Sequence, residues 1–122
     1  MKQFENQLTR TNVLALTPLL SDKDVADILV MTIAWVRSHF DEIPGSKRLG
    51  AYFRFCSQEV EHWLGSLDTL LEAETVAKLL RVPQSWVYAN ADQLPGVLRL
   101  GRYVRFRPAM IHLFLVGSGV VQ

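Results

Sequence analysis

Four arginines, Arg99, Arg102, Arg105 and Arg107, fall between Gln93 and Gln122, a stretch with no Asp or Glu. Lys47, Arg48 and Arg54 occupy a second acid-free stretch, between Ile43 and Ser57. Guanidinium and ammonium groups concentrated in this way can neutralise phosphates, and an arginine fork can hold one bidentately. Upstream of each basic stretch lies a short segment with polar side chains. One carries Gln84, Ser85 and Tyr88, the other Arg37 and Ser38. A glutamine amide can bond an adenine edge and a guanidinium a guanine edge, while hydroxyls suit phosphate or base contacts. No comparable set exists for catalysis. His39, His62 and His112 have no metal-ligand spacing, no nucleophile has a recognisable base, and Cys56 is the only cysteine. No enzyme, cofactor or metal is expected.

Composition limits where those residues can sit. The chain has 122 residues, 49% hydrophobic and 20% charged, as a folded protein requires, with a formal net charge of only +1. Net charge therefore does not point to nucleic acid; charge placement does. A lone cysteine excludes an internal disulfide and a thiolate metal site, and reads as a small buried apolar residue. Lys2 is not followed by an apolar core of signal-peptide length, and the apolar stretch from Ile111 to Val121 is too short to span a membrane. A cytoplasmic location is the default expectation.

Aligned with itself at an offset of 51 positions, the chain matches without a gap. Val25-Ala26 falls on Val76-Ala77, Trp35-Val36 on Trp86-Val87, and Pro44-Gly45 on Pro95-Gly96. Arg48-Leu49-Gly50 falls on Arg99-Leu100-Gly101, and Arg54-Phe55 on Arg105-Phe106. Two tryptophans, a Pro-Gly pair and an Arg-Leu-Gly triplet do not coincide by chance, so the chain is an internal duplication. The expected layout is an arm at 1–18, unit 1 at 19–64, a tight linker at 65–69, unit 2 at 70–115 and a tail at 116–122.

Each unit predicts the same series of elements. Ser21 is an N-cap candidate, acids come directly after it, and Val25, Ile28 and Leu29 share one helical face. Thr32 or Pro83 then starts a second helix after about three residues, the spacing of a helix-turn-helix. Past Pro-Gly the period becomes two, giving hairpins with turns at Gly50-Ala51 and Gly101-Arg102. A last helix, from Ser57 or Pro108, is expected to bury Val60, Trp63 and Leu64, or Ile111, Phe114 and Leu115. With about 46 residues per unit, an interface between the two is expected to add to each small core. The expected fold class is mainly α with small β-hairpins (α+β).

Unit 2 resembles the winged helix-turn-helix domain of the excisionase and AlpA-like group, relatives of the MerR DNA-binding domain. The resemblance rests on Leu71, Glu72, Val76-Ala77, Leu79-Leu80, Val82-Pro83, Ser85-Trp86-Val87-Tyr88 and Leu94-Pro95, and on the run from Arg99 to Phe106. Unit 1 fits more loosely, with Met31-Thr32-Ile33-Ala34 at the turn and Ala51 where a wing tip carries a basic residue. Two tandem copies depart from the single unit usual in that group. The resemblance implies a DNA-binding excisionase, a recombination directionality factor or a small transcription regulator of a mobile element. Expected partners are double-stranded DNA, an integrase or other recombinase, and further copies on DNA; no membrane is expected.

On this reading Gln84, Ser85 and Tyr88 enter the major groove. Arg37 and Ser38 do so from unit 1, beside Ile33 and Ala34, which suit a thymine methyl. Arg102 at the wing tip reaches the minor groove or its flanking phosphates. Arg99 and Arg105 grip the backbone, with Lys47, Arg48 and Arg54 as their unit 1 counterparts. Trp35 and Trp86 read as half-buried supports for the second helix. The competing reading of the basic residues is a solvated strand surface that guards hairpin edges. A third reading makes unit 1 a protein-interaction module, on account of Ile33, Ala51 and the apolar tail with Val116, Val120 and Val121.

Overall fold

The structure, a computed structural model, describes residues 16–117. Residues 1–15 of the arm at 1–18, and Val120 and Val121 of the tail, lie outside the described residues. The fold is α+β, with six α-helices and two three-stranded antiparallel sheets among the described residues. The first repeat runs β1 (Leu20–Ser21), α1 (Asp22–Leu29), α2 (Ile33–Ser38), a 3-10 turn (Phe40–Glu42), β2 (Ser46–Leu49), β3 (Tyr52–Phe55) and α3 (Ser57–Leu64). The second runs β4 (Leu71–Glu72), α4 (Ala73–Leu80), α5 (Gln84–Ala89), a 3-10 turn (Ala91–Gln93), β5 (Val97–Leu100), β6 (Tyr103–Phe106) and α6 (Pro108–Val116).

Local chemistry sets the helix boundaries. The Ser21 hydroxyl accepts from the Asp24 N–H at 3.0 Å, and the Asp24 carboxylate accepts from the Ser21 N–H at 2.9 Å, a reciprocal capping box. Thr32 caps α2 by accepting from the Trp35 N–H at 3.0 Å. In the second repeat Pro83 holds the N-cap position of α5 and Pro108 opens α6. The first helix of each repeat stops at a left-handed residue, Val30 (φ 56°) or Arg81 (φ 59°). A side chain in that region costs about 1–2 kcal/mol, so the surroundings must hold it there.

The short strands β1 and β4 are absent from the helix-helix-hairpin-helix expectation. Each adds to its hairpin from the other side, in the orders β1-β3-β2 and β4-β6-β5. Leu20 pairs with Phe55 and Leu71 with Phe106, so β3 and β6 are central strands. Central position makes their side chains cover the core, and Phe55 and Phe106 are fully buried.

Each repeat has its own apolar centre. Val25, Leu29, Val36, Phe55 and Val60 anchor the first, and Val76, Val87, Leu94, Phe106 and Ile111 the second. The first centre also takes in residues of the second repeat: Leu70 and Leu100 are buried in it, with Leu98 packed alongside. The Leu70 N–H donates to the Ile28 carbonyl at 2.8 Å, and Arg107 donates to the Trp63 carbonyl at 3.2 Å. The second repeat thus completes the first. Nothing among the described residues reciprocates at the far end: Leu64 is 2% exposed, but its equivalent Leu115 is 43% exposed. The expected burial of Leu115 is corrected accordingly, because nothing among the described residues lies over it as unit 2 lies over Leu64. Among the described residues no helix is long and apolar enough to cross a membrane.

Candidate nucleic-acid interface

The second helices, α2 and α5, each pin one residue inward. Val36 and Val87 are fully buried, which turns the opposite faces to solvent. Gln84, Ser85, Tyr88 and Ala89 are all exposed on α5, and Ile33, Ala34, Arg37 and Ser38 on α2. These helices are only six residues long, so they rely on the neighbours that hold them. Trp35 and Trp86 are half-buried. Trp35 stacks on His39 with ring centroids 4.0 Å apart. The His39 ring also reaches the Trp35 carbonyl at 2.8 Å, closing the end of α2. At the same place in the second repeat, Asn90 donates to the Trp86 carbonyl at 2.9 Å. His39 is therefore a helix-end group, and no cluster of three or more metal-ligating side chains occurs among the described residues.

The two faces differ in charge. Arg37 donates through Nε to Asp22 at 2.7 Å, and its side chain remains 56% exposed. The Arg37 guanidinium bonded to Asp22 holds that carboxyl below the ordinary carboxylate range; desolvation opposes the shift and the Lys23 N–H reinforces it. Part of the charge of Arg37 is thus spent within the protein. In the second repeat both partners change together, to Ala73 and Tyr88, leaving an uncharged face with Gln84 and Ser85 at its start. The Ser38 hydroxyl donates to the Trp35 carbonyl at 3.0 Å and lies 3.0 Å from His39 Nδ1, so it too is engaged at the end of α2.

The hairpins carry the cations. At the β5–β6 turn Gly101 takes φ 64°, which presents Arg102 to solvent. Arg102 donates to the Tyr103 hydroxyl at 3.3 Å, and that bond favours its charged form. Arg99 is exposed but donates to Asp92 through Nε at 3.1 Å and Nη2 at 2.8 Å. The stretch that is acid-free along the chain is not acid-free in space, because the 3-10 turn brings Asp92 back to it. In the first repeat Lys47 is exposed and Arg48 lies over the Phe53 ring at 4.1 Å. Arg54 is half-buried and donates to the Phe53 carbonyl at 2.8 Å.

Arg105 departs most from its expected place. It is 8% exposed, and donates to the carbonyls of Leu29 at 3.0 Å, Val30 at 2.6 Å and Val104 at 2.9 Å. A residue on a central strand facing the first repeat cannot also grip a phosphate, so Arg105 leaves the set of candidate DNA contacts. Its role is to close the end of α1. The Leu29 and Val30 carbonyls belong to the negative pole of that helix, and the guanidinium satisfies them. Arg107 is likewise committed, to Val97 and Trp63.

The structure therefore brings Gln84, Ser85 and Tyr88 together on one helix face, and places Arg102 and Arg99 on the hairpin of the same repeat. Arg37 and Ser38 share the other face, with Lys47 and Arg48 on their hairpin. Among the exposed cations that a reading of the basic stretches alone misses is Arg81, at the turn between α4 and α5. It lines a cleft with Lys78 and Gln84. Its signal was the repeat itself, which sets Arg81 against Val30 and Lys78 against Asp27. A scan against protein-family models, a search of curated proteins and a search of solved structures each gave no match for this chain.

Proposed function

We propose that the chain is a sequence-specific double-stranded DNA-binding protein built from two tandem winged helix-turn-helix units, with the C-terminal unit the principal reader. The observation that carries this reading is the exposed Gln84–Ser85–Tyr88 face of α5, in the same unit as a hairpin that ends in the solvent-facing Arg102. In this reading α5 enters the major groove and Arg102 contacts the minor groove or its phosphates. Arg99, Lys47 and Arg48 add backbone contacts, each weakened to the extent that it is already engaged within the protein. Arg37 reads from the first unit through the nitrogens that Asp22 leaves free.

In biological terms the reading is that of an excisionase-like directionality factor or regulator of a mobile element, with an integrase as protein partner. Transcriptional control from an operator uses the same surface and differs only in the event that binding triggers. Excision in the presence of the neighbouring recombinase, set against output from a nearby promoter, separates the two. The apolar Ile33 and the Arg37–Asp22 pair favour a weaker first reader, down to a unit with no DNA contact.

Selection of binding sites from random duplexes tests this directly. The wild type should enrich a defined motif. Gln84→Ala should change the preferred base at one position, a loss of about 1–3 kcal/mol in discrimination there. An unaltered motif would remove α5 from the reading role.

A further inference from the structure

The duplication supplies an internal control for a surface that nothing covers among the described residues. In unit 1, the end formed by α1 and α3 is closed by unit 2, with Leu70, Leu98 and Leu100 on the apolar part and Arg105 on the terminal carbonyls of α1. The same end of unit 2, formed by α4 and α6, is open. Leu29 is fully buried, whereas its equivalent Leu80 is only half-buried. Leu79, equivalent to the half-buried Ile28, is 46% exposed. With Leu115 and Val116 these make an apolar end far richer than a solvated helix tip needs.

Charge tells what kind of occupant fits. The cleft on unit 1, about 430 Å³, includes Asp27 and Val30 and is walled by Tyr103 and Arg105 from unit 2. The corresponding cleft on unit 2, about 680 Å³, has Lys78 and Arg81 at those two positions and no such wall. Lys78 is offset by Glu74 at 3.6 Å; no carboxylate lies within 4.0 Å of Arg81 among the described residues. A second copy stacked in the manner of the internal contact would bring Arg54 against Arg81 and Lys78. It would also place Lys47 where the internal contact uses Leu98, and Cys56 where it uses Arg107. Leu19 and Leu49 would keep leucine at the places of Leu70 and Leu100, but the approach of Arg54 to Arg81 and the loss of Leu98 and Arg107 oppose that stacking.

We propose that the open α4–α6 end of unit 2 docks an extended, acidic and apolar segment of a partner protein. Such a segment sets an apolar side chain on Leu79 and Leu115, as Leu70 is set on unit 1, and a carboxylate beside Arg81. The N–H of its apolar residue meets the Leu79 carbonyl, the equivalent of the Ile28 carbonyl that accepts from Leu70. The cleft also includes Gln84, so this surface borders the helix face assigned to DNA, and competition by a duplex distinguishes the two uses.

The chain's own linker shows the required chemistry, so a synthetic peptide of residues 66–72, Ser-Leu-Asp-Thr-Leu-Leu-Glu, is the probe. Titrated into the isotope-labelled full chain, it should shift the amide signals of Leu79, Arg81 and Leu115 in a saturable way. A version with both acids replaced by lysine should bind about fivefold more weakly or worse. Leu115→Glu should abolish the effect, and Leu79→Gln, in the other helix, should weaken it. No shift at these residues, or equal binding of both peptides, would overturn the proposal. So would displacement of the peptide by a nonspecific duplex, which would assign the cations to phosphate. Self-association abolished by Leu115→Glu would make the occupant a second copy, and peptide binding seen only after deletion of residues 118–122 would make it the chain's own end. Either result also overturns the proposal.

Discussion

Arg54 and Arg105 share a place in the repeat, yet one is half-buried at a hairpin and the other is locked into the neighbouring unit. Sequence spacing put both on strands but could not say which of the two would meet another unit, because that depends on how the units pack. The consequence is testable. Arg105→Met should destabilise the fold by about 2–4 kcal/mol, since it leaves two helix-end carbonyls without their donor. Arg102→Ala should leave stability within about 0.5 kcal/mol, because its side chain stands in solvent. Denaturant titration of the two variants checks the contrast; equal losses would contradict the inward role of Arg105. Asp22 offers a second test. Its folded pKa is depressed, so the stability it contributes is present above the ordinary carboxylate range and is lost as pH falls through the folded value. The stability gap between wild type and Asp22→Asn should therefore close on acidification. A gap independent of pH would mean that the Arg37 bond contributes nothing.

At the scale of elements, periodicity and capping residues were legible, and the Ser21 and Thr32 caps, the two hairpin turns and the final helices fall where their residues predict. The strands β1 and β4 were not. Each has two residues and runs directly into a helix cap, too short for a period of two to register. The hairpin-to-helix corner depends on Gly96, whose φ is 79°, and a Cβ there would stand 2.7 Å from Met110 Cβ. Gly101 is also left-handed, at 64°, but a Cβ there would meet nothing within 4 Å. Gly96→Ala should thus cost about 2–4 kcal/mol, strain plus overpacking, against about 1 kcal/mol for Gly101→Ala. Thermal melts of both variants measure the difference; similar losses would contradict the close packing of α6 on the corner.

Across the whole molecule the duplication is asymmetric in a physically consistent way. Unit 2 completes the core of unit 1 and leaves its own far end open, so the two helix faces are joined by packing and hydrogen bonds as well as by the linker. The repeat, and from it the paired second helices with their exposed faces, could be read directly from residues 51 positions apart. Charge compensation in space could not, since Asp22 takes part of Arg37 and Asp92 part of Arg99 only once the chain has folded. The most direct test of DNA binding is the dependence of duplex affinity on salt, measured for the full chain and for Arg102→Ala. With both units engaged, log affinity against log salt should fall with a slope set by about six to eight phosphates, and with unit 2 alone by about half that number. Arg102→Ala should lower affinity for every duplex and reduce the slope by about one. Absence of salt-dependent binding to any duplex at low ionic strength would contradict the assignment of this surface to DNA.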